Sequence, residues 1–144
     1  MSSYGTPSDV AALARVWTNN GAWVNPVPDY AIRGTNPTMT TVQDWLDNVS
    51  AQMNVALGSQ FFKTPIDPDE SPNTYKAVTQ YVVSLVSEMC HQANNIDRDV
   101  PPEGKIMKDM AAWVQDNADG FGLDSVKISE GQAPKNQVQF RMIG

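Results

Sequence analysis

The feature of this sequence that most constrains its fold is the stretch 40–58, TTVQDWLDNVSAQMNVALG. Its apolar residues recur at the intervals that place side chains on one face of an α-helix; they are Val42, Trp45, Leu46, Val49, Met53, Ala56 and Leu57. Thr40 can cap its start, with Gln43 completing a capping box, and Gly58 is the left-handed residue that often ends a helix. We predict a central helix about 27 Å long, whose apolar face the rest of the chain covers.

Three further helices are predicted from start signals and apolar spacing. Thr6-Pro7 places a cap residue before a proline at the first helical position, and this helix carries an apolar stripe as far as Trp17. Ser71-Pro72 repeats that start signal, and its helix should extend to about Asn94. A fourth helix is predicted over 103–117, ending before Asp119-Gly120.

The C-terminal end has a different pattern. Val126 and Ile128, and then Val138, Phe140 and Met142, alternate with polar residues, and an alternating pattern is typical of strands. The predicted fold class is therefore mainly α. It is a small antiparallel bundle of about four helices over residues 1–122, with a long loop at 20–39, followed by an extended or β-hairpin arm at 123–144.

Composition limits the class of partner and the compartment. The chain has 10 basic and 16 acidic residues, a net charge of −6, which argues against direct or sequence-specific nucleic-acid binding. No apolar run approaches the roughly 20 residues that a membrane helix needs, and the start MSSYGTPSDV lacks the features of a secretory signal. Cys90 is the single cysteine, so an internal disulfide is excluded. We expect a protein that is cytosolic or is assembled in the cytosol.

Residue types that carry chemistry do not form a recognisable catalytic pattern. His91 is the only histidine, and Glu88 precedes it with the spacing used in di-iron bundles, but such sites require a second pair of this kind. Cys90 and His91 are neighbours on a helix and point about 100° apart, which does not suit a nucleophile and its base. We expect His91 to be solvated or to cap a helix end.

Acidic clusters do not match a metal-binding loop either. Asp67, Asp69 and Glu70 lack the glycine and glutamate that a twelve-residue calcium loop requires, and the same holds for the acidic residues at 116–120. The sequence also contains no glycine-rich phosphate loop, nucleophile elbow or paired-cysteine zinc motif. We predict no enzymatic activity, no cofactor and no metal site.

Two stretches of the sequence resemble a known family. They are residues 4–14, YGTPSDVAALA, and residues 36–53, NPTMTTVQDWLDNVSAQM, followed by the apolar helix at 75–89. They resemble the head–tail adaptor (connector or head-completion) proteins of long-tailed bacteriophages. Members often begin with a Y-x-T-x-x-D-V-x-x-L-like helix and continue with a P-T-x-x-x-V-x-x-W-I/L-D-x-x-S-x-x-I/M-like helix. The likeness covers about two-thirds of the chain, while the proline-rich stretch at 21–35 departs from the pattern.

The resemblance implies a structural virion protein. Such a protein forms a dodecameric ring in the phage neck, between the portal protein and the tail-completion (stopper) protein, and lets DNA pass. The C-terminal segment of such adaptors often reaches the portal, so Val138, Phe140 and Met142 are candidates for the portal contact by strand addition.

Four aromatic residues outside the helical stripes are candidates for contacts between ring subunits: Trp23, Tyr30, Phe61 and Phe62. Each has the alternative of ordinary packing within its own subunit, and for Trp23 both explanations stay open. For the protein as a whole, the alternative is a small soluble helical regulatory module that binds a protein partner.

Overall fold

The computed structural model describes residues 3–27, 33–94 and 103–123. In these residues the chain is mainly helical, as predicted. It has four α-helices, α1 (Pro7–Leu13), α2 (Met39–Gly58), α3 (Pro72–Ala93) and α4 (Glu103–Phe121), and a short 3-10 helix at Arg15–Trp17. These described parts of the chain contain no strand. The strands predicted around Val126 and Val138 lie outside them.

Helix α2 is central, as its apolar stripe predicts. It contacts α1, α3 and α4, whereas α1 otherwise packs on α3. The side chains of the stripe are buried at Val42, Leu46, Val49, Met53, Ala56 and Leu57. Because three helices share this one face, most of the apolar burial that stabilises the fold converges on α2.

Contacts at the helix ends fix the helix directions. The side-chain amide of Asn94, after α3, donates a 2.6 Å hydrogen bond to the carbonyl of Asn36, before α2. The end of α4 lies beside the end of α2, since the rings of Phe121 and Phe62 are 6.0 Å apart. Helix α3 therefore runs opposite to both α2 and α4.

Helix α1 begins as the sequence predicts and ends earlier. Thr6 and Asp9 form a complete capping box, and Pro7 occupies the first turn. The helix stops at Leu13, because Ala14 leaves helical geometry with φ −116° and ψ 37°. Trp17 consequently lies on a separate 3-10 turn and not on the continuous helix that the apolar spacing predicts.

The predicted ends of α2 are wrong by a few residues. The N-cap is Thr38, whose hydroxyl accepts from the backbone N–H of Thr41, and not Thr40. Gln43 does not close a capping box, since its amide donates to Asp47 one turn later. Gly58 lies within the helix, and the left-handed residue that follows is Phe61, with φ 65°.

The other two helices differ in detail from their predictions. Helix α3 starts at Pro72 as predicted, but the Ser71 side chain makes no capping bond. Helix α4 continues through Asp119-Gly120 to Phe121. The extra turn buries the Phe121 side chain against Phe62 and Trp113. That burial exceeds the roughly 1 kcal/mol that a glycine inside a helix costs.

Candidate interaction surfaces

Tyr4 fixes the N-terminal segment against the helices. Its backbone N–H donates to Ser50 Oγ at 2.8 Å, and its hydroxyl donates to Asn54 Oδ1 at 2.5 Å. The same hydroxyl accepts from the backbone N–H of Ile66 at 2.9 Å. Burial raises the pKa of Tyr4 above its usual value, although the Ile66 N–H opposes this shift. Tyr4 thus joins the chain start, α2 and the α2–α3 loop.

Two of the predicted subunit-contact residues belong to the core of the chain itself. Trp23 is 2% exposed, and its indole N–H donates a 2.9 Å hydrogen bond to the carbonyl of Pro7. Phe62 is fully buried and faces Phe121. For both residues the alternative of packing within the subunit is correct, since a side chain already covered by its own chain offers no surface to a neighbour.

The remaining predicted contact residues have different outcomes. Phe61 is half-buried in the turn after α2, so part of its side chain faces outward. Tyr30, Val138, Phe140 and Met142 lie outside the described residues, and their predicted contacts stay predictions. The error at Trp23 and Phe62 has a simple cause: an apolar residue in a loop indicates burial, but not the chain against which it is buried.

Large apolar side chains are exposed at positions that the sequence analysis missed. Val16 is 72% exposed, Val55 64% and Leu123 91%. Leu13 is 48% exposed, although the stripe of α1 predicts that it is buried. Val16 and Val55 fall between the members of the helical stripes. This offset from the stripe was the sequence signal that their side chains are exposed. Single exposed apolar residues are common; of these four, Leu13 also lines a groove.

A first groove lies between α1 and α3. It has a volume of about 290 Å³ and is lined by Asp9, Ala12 and Leu13 on one side and by Thr79, Gln80 and Val83 on the other. Its lining is mixed: the Thr79 hydroxyl is buried without a hydrogen-bond partner among the described residues, and the Asp9 carboxylate accepts from the Thr6 N–H. The exposed Leu13 forms part of its wall.

A second groove lies between α3 and α4. Its volume is about 380 Å³, and it is lined by Ala77, Gln80, Tyr81, Ser84 and Trp113. The rings of Tyr81 and Trp113 stack, with centroids 4.3 Å apart and planes inclined by 24°. Both rings are half-buried, so one part of each packs on the core and the rest remains open to solvent.

The Cys90 thiol and the His91 imidazole, the most reactive side chains described, both take part in packing or hydrogen bonding within the fold. Cys90 is buried, and desolvation raises the pKa of its thiol to about 12, which suppresses the thiolate that a nucleophile needs. His91 lies half-buried in the last turn of α3, and its Nδ1 accepts a hydrogen bond from the indole of Trp17 at 2.8 Å. In the parts of the chain that the structure describes, no group of three or more His, Cys, Asp or Glu residues could hold a metal ion.

The ion pair found in the described residues is exposed and does not form part of either groove. Lys63 and Glu70 form an ion pair with a 3.5 Å Nζ–Oε1 distance, and both side chains are largely exposed. Such a pair adds little stability. Within the described ranges, no helix is both long enough and apolar enough to cross a membrane.

Comparisons with protein-family models, with curated proteins and with solved structures found no match to this chain.

Proposed function

We propose that this protein is a head-to-tail adaptor of a bacteriophage neck, a structural virion protein without enzymatic activity. Its subunits form a ring, dodecameric by the family habit, between the portal and the tail-completion protein, and DNA passes through that ring. Its location is the head–tail junction of the virion, after assembly in the host cytoplasm. The body of the subunit is a small antiparallel helical bundle, and residues 123–144 form the arm that reaches the portal.

The observation that carries the proposal is the role of the residues in the resembling motifs. Thr6 and Asp9 cap α1, Tyr4 ties the chain start to α2, and Val42 and Met53 lie in the buried stripe of α2. These positions give five motif residues a capping or packing role in one helical arrangement, whereas Leu13, at the end of the first motif, is 48% exposed. They support the resemblance as one of packing. The motifs contain packing residues and no catalytic ones, so they can give no other kind of support.

Exposed apolar side chains are consistent with a subunit that functions through its surfaces. A closed ring needs two different contact faces on each subunit, because its contacts run head to tail. Val16 on the 3-10 helix supplies one candidate face, and Val55 on α2 supplies another on a separate element. These residues replace Trp23 and Phe62 as candidates for the subunit contacts.

The test is binding to assembled, DNA-filled phage heads that lack tails, followed by negative-stain imaging. We expect a collar of density at one vertex of the capsid. Deletion of residues 137–144 should abolish the joining of heads to tails while the circular-dichroism spectrum of the helices is retained. Normal yield of infectious virions from the deletion would contradict the role of the arm.

The alternative function is a soluble helical regulatory module that binds a protein partner. The open α3–α4 groove is the observation that favours it, since grooves between helices are common sites for partner segments. A folded protein that does not bind to heads, and that a soluble partner protein protects at Tyr81 and Trp113, would favour this alternative over the adaptor.

A further inference from the structure

We propose that Asn20 is a site of spontaneous covalent modification, at which the side-chain amide is lost and the residue becomes aspartate or isoaspartate. The site lies in the turn at 19–22, between the 3-10 helix and the buried Trp23. It is independent of the proposed function, because the reaction takes place within a single folded chain and requires neither a ring nor a phage head.

Asn20 and Gly21 are the two central residues of a tight turn. The backbone N–H of Asn19 donates to the carbonyl of Ala22 at 3.0 Å, and the N–H of Ala22 donates to the carbonyl of Asn19 at 3.1 Å. Both central residues have positive φ, 54° at Asn20 and 82° at Gly21. Two positive φ angles in succession define a type I′ turn, for which Asn-Gly is a preferred pair.

The reacting groups of this turn are open to solvent. Asn20 is exposed, and a Cβ atom added to Gly21 would meet no atom within 4 Å. Among the described residues, neither the Asn20 side-chain amide nor the Gly21 N–H has a hydrogen-bond partner. Because glycine has no side chain, nothing at position 21 hinders the approach of its nitrogen to the amide.

The reaction needs only water. The Gly21 nitrogen attacks Cγ of Asn20 and forms a cyclic imide, while the Cγ–Nδ2 bond breaks. The amide leaves as ammonia and takes up the proton that the Gly21 nitrogen gives up. Water then opens the ring at Cγ, which gives aspartate, or at the main-chain carbonyl carbon, which gives isoaspartate. One water is consumed, one ammonia is released, and no atom is oxidised or reduced.

Asn20 is the asparagine that sequence and structure single out for this reaction. It alone among the asparagines of the chain is followed by glycine. Asn25 and Asn36 precede proline, whose nitrogen carries no proton and cannot form the ring. Asn48 and Asn54 lie inside α2, where the following N–H groups are held by the hydrogen bonds of the helix.

The turn should control the rate of the reaction. In a type I′ turn ψ of the first central residue is about +30°, which places the next nitrogen nearly opposite Cβ across the Cα–C bond. Ring closure requires these two atoms on the same side, so the Asn20 Cα–C bond must rotate and the turn must open. Because opening breaks two hydrogen bonds, we expect the native protein to react roughly tenfold more slowly than the unfolded chain.

The two products should affect the fold differently. Aspartate retains a pair that suits a type I′ turn and makes the net charge of −6 more negative by one unit. Isoaspartate lengthens the main chain of the turn by one carbon atom, so Asn19 and Ala22 should no longer face each other. Trp23 follows directly and donates its indole N–H to the carbonyl of Pro7, so we expect the isoaspartate form to be the less stable one.

The test is incubation of the full-length protein at pH 8, followed by ion-exchange chromatography and mass spectrometry. Trypsin should release residues 16–33 as one peptide. We expect a carboxyl group in place of the amide at Asn20, and an unchanged amide at Asn19 and Asn25. Electron-transfer fragmentation distinguishes isoaspartate from aspartate. The same incubation in guanidinium chloride should convert Asn20 roughly tenfold faster.

Two variants make the test specific. Asn20→Gly removes the amide and retains a residue pair that suits the turn, so the acidic species should not form. The matched Asn19→Gln changes the neighbouring residue and should form the acidic species at the wild-type rate. Both variants should retain the circular-dichroism spectrum of the helices.

Three results would overturn the proposal. An unchanged Asn20 in the native protein, over a time in which the unfolded chain converts completely, would show that the folded chain is not modified there. Equal conversion of Asn19 or Asn25 would remove the selectivity for Asn20. Equal rates in buffer and in guanidinium chloride would show that the turn does not control the reaction.

Discussion

The indole nitrogen of Trp17 donates a 2.8 Å hydrogen bond to Nδ1 of His91. This bond joins the 3-10 helix after α1 to the last turn of α3, across 74 positions of the sequence. The rings also meet edge to face, with centroids 6.1 Å apart. The only histidine of the chain thus serves as a tertiary link.

The Trp17–His91 bond predicts coupled losses of stability. Trp17→Phe removes the donor and retains an aromatic ring, so we expect the free energy of unfolding in urea to fall by about 1 kcal/mol. His91→Ala should also destabilise the protein, and the double variant should lose less than the sum of the two single losses. Strict additivity of the two effects would contradict a direct bond between these side chains.

Ionisation of the buried Tyr4 hydroxyl should destabilise the protein at high pH. The pKa of Tyr4 is raised from 10.0, chiefly because burial disfavours the phenolate. A raised pKa in the folded state means that its contribution to stability is complete below pH 10 and is lost as the pH rises above that value. We expect the free energy of unfolding of the wild type to fall more steeply above pH 10 than that of Tyr4→Phe, measured by urea titration at a series of pH values.

At neutral pH, Tyr4→Phe should itself destabilise the protein. The substitution leaves Asn54 Oδ1 and the Ile66 N–H without their shared partner, which costs about 1–3 kcal/mol for a buried polar group. Equal stability of Tyr4→Phe and wild type in a urea titration at pH 7 would show that water replaces the hydroxyl at no cost.

The reaction rate of the Cys90 thiol should report on unfolding of the protein. Its side chain is buried, and the pKa of the thiol is raised to about 12. At pH 8 the native protein should therefore react with a disulfide reagent only through opening of the fold. We expect the reaction to be slow in buffer and complete within the mixing time in concentrated urea. Rapid stoichiometric labelling in buffer would contradict the burial.

Substitution of Val16 or Val55 by aspartate should impair assembly and leave the fold intact. Both side chains are exposed in the single chain, so Val16→Asp and Val55→Asp should change the free energy of unfolding by less than about 0.5 kcal/mol. If they lie at subunit contacts, each variant should lose most of its binding to phage heads. Ala111→Asp, at an exposed position on α4, is the matched control and should bind as the wild type does.

The sequence predicts the helices better than it predicts the surfaces. The four helices follow from apolar spacing and from the Thr6-Pro7 and Ser71-Pro72 starts, which are local signals. The missed features depend on contacts between distant residues. The Trp17–His91 bond, the burial of Trp23 on Pro7 and the extension of α4 to Phe121 are all of this kind. The stacked Tyr81–Trp113 pair of the candidate groove also joins two helices, so neither stripe alone reveals it.

We predict that alanine stabilises the protein in place of Gly120 and destabilises it in place of Gly5. Gly120 lies inside α4, and a Cβ atom added there would meet no atom within 4 Å. Gly120→Ala should therefore raise the free energy of unfolding by about 0.5–1 kcal/mol, because alanine favours the helix and restricts the unfolded chain.

Gly5 has φ +89°, and an added Cβ would overlap Cγ2 of Val83 on α3. Gly5→Ala combines an unfavourable backbone conformation with this overlap, so it should lower the free energy of unfolding by at least about 1 kcal/mol. Urea titrations of both variants measure the two effects under one condition. A stabilising Gly5→Ala would mean that the N-terminal segment packs on α3 less closely than the Tyr4 hydrogen bonds require.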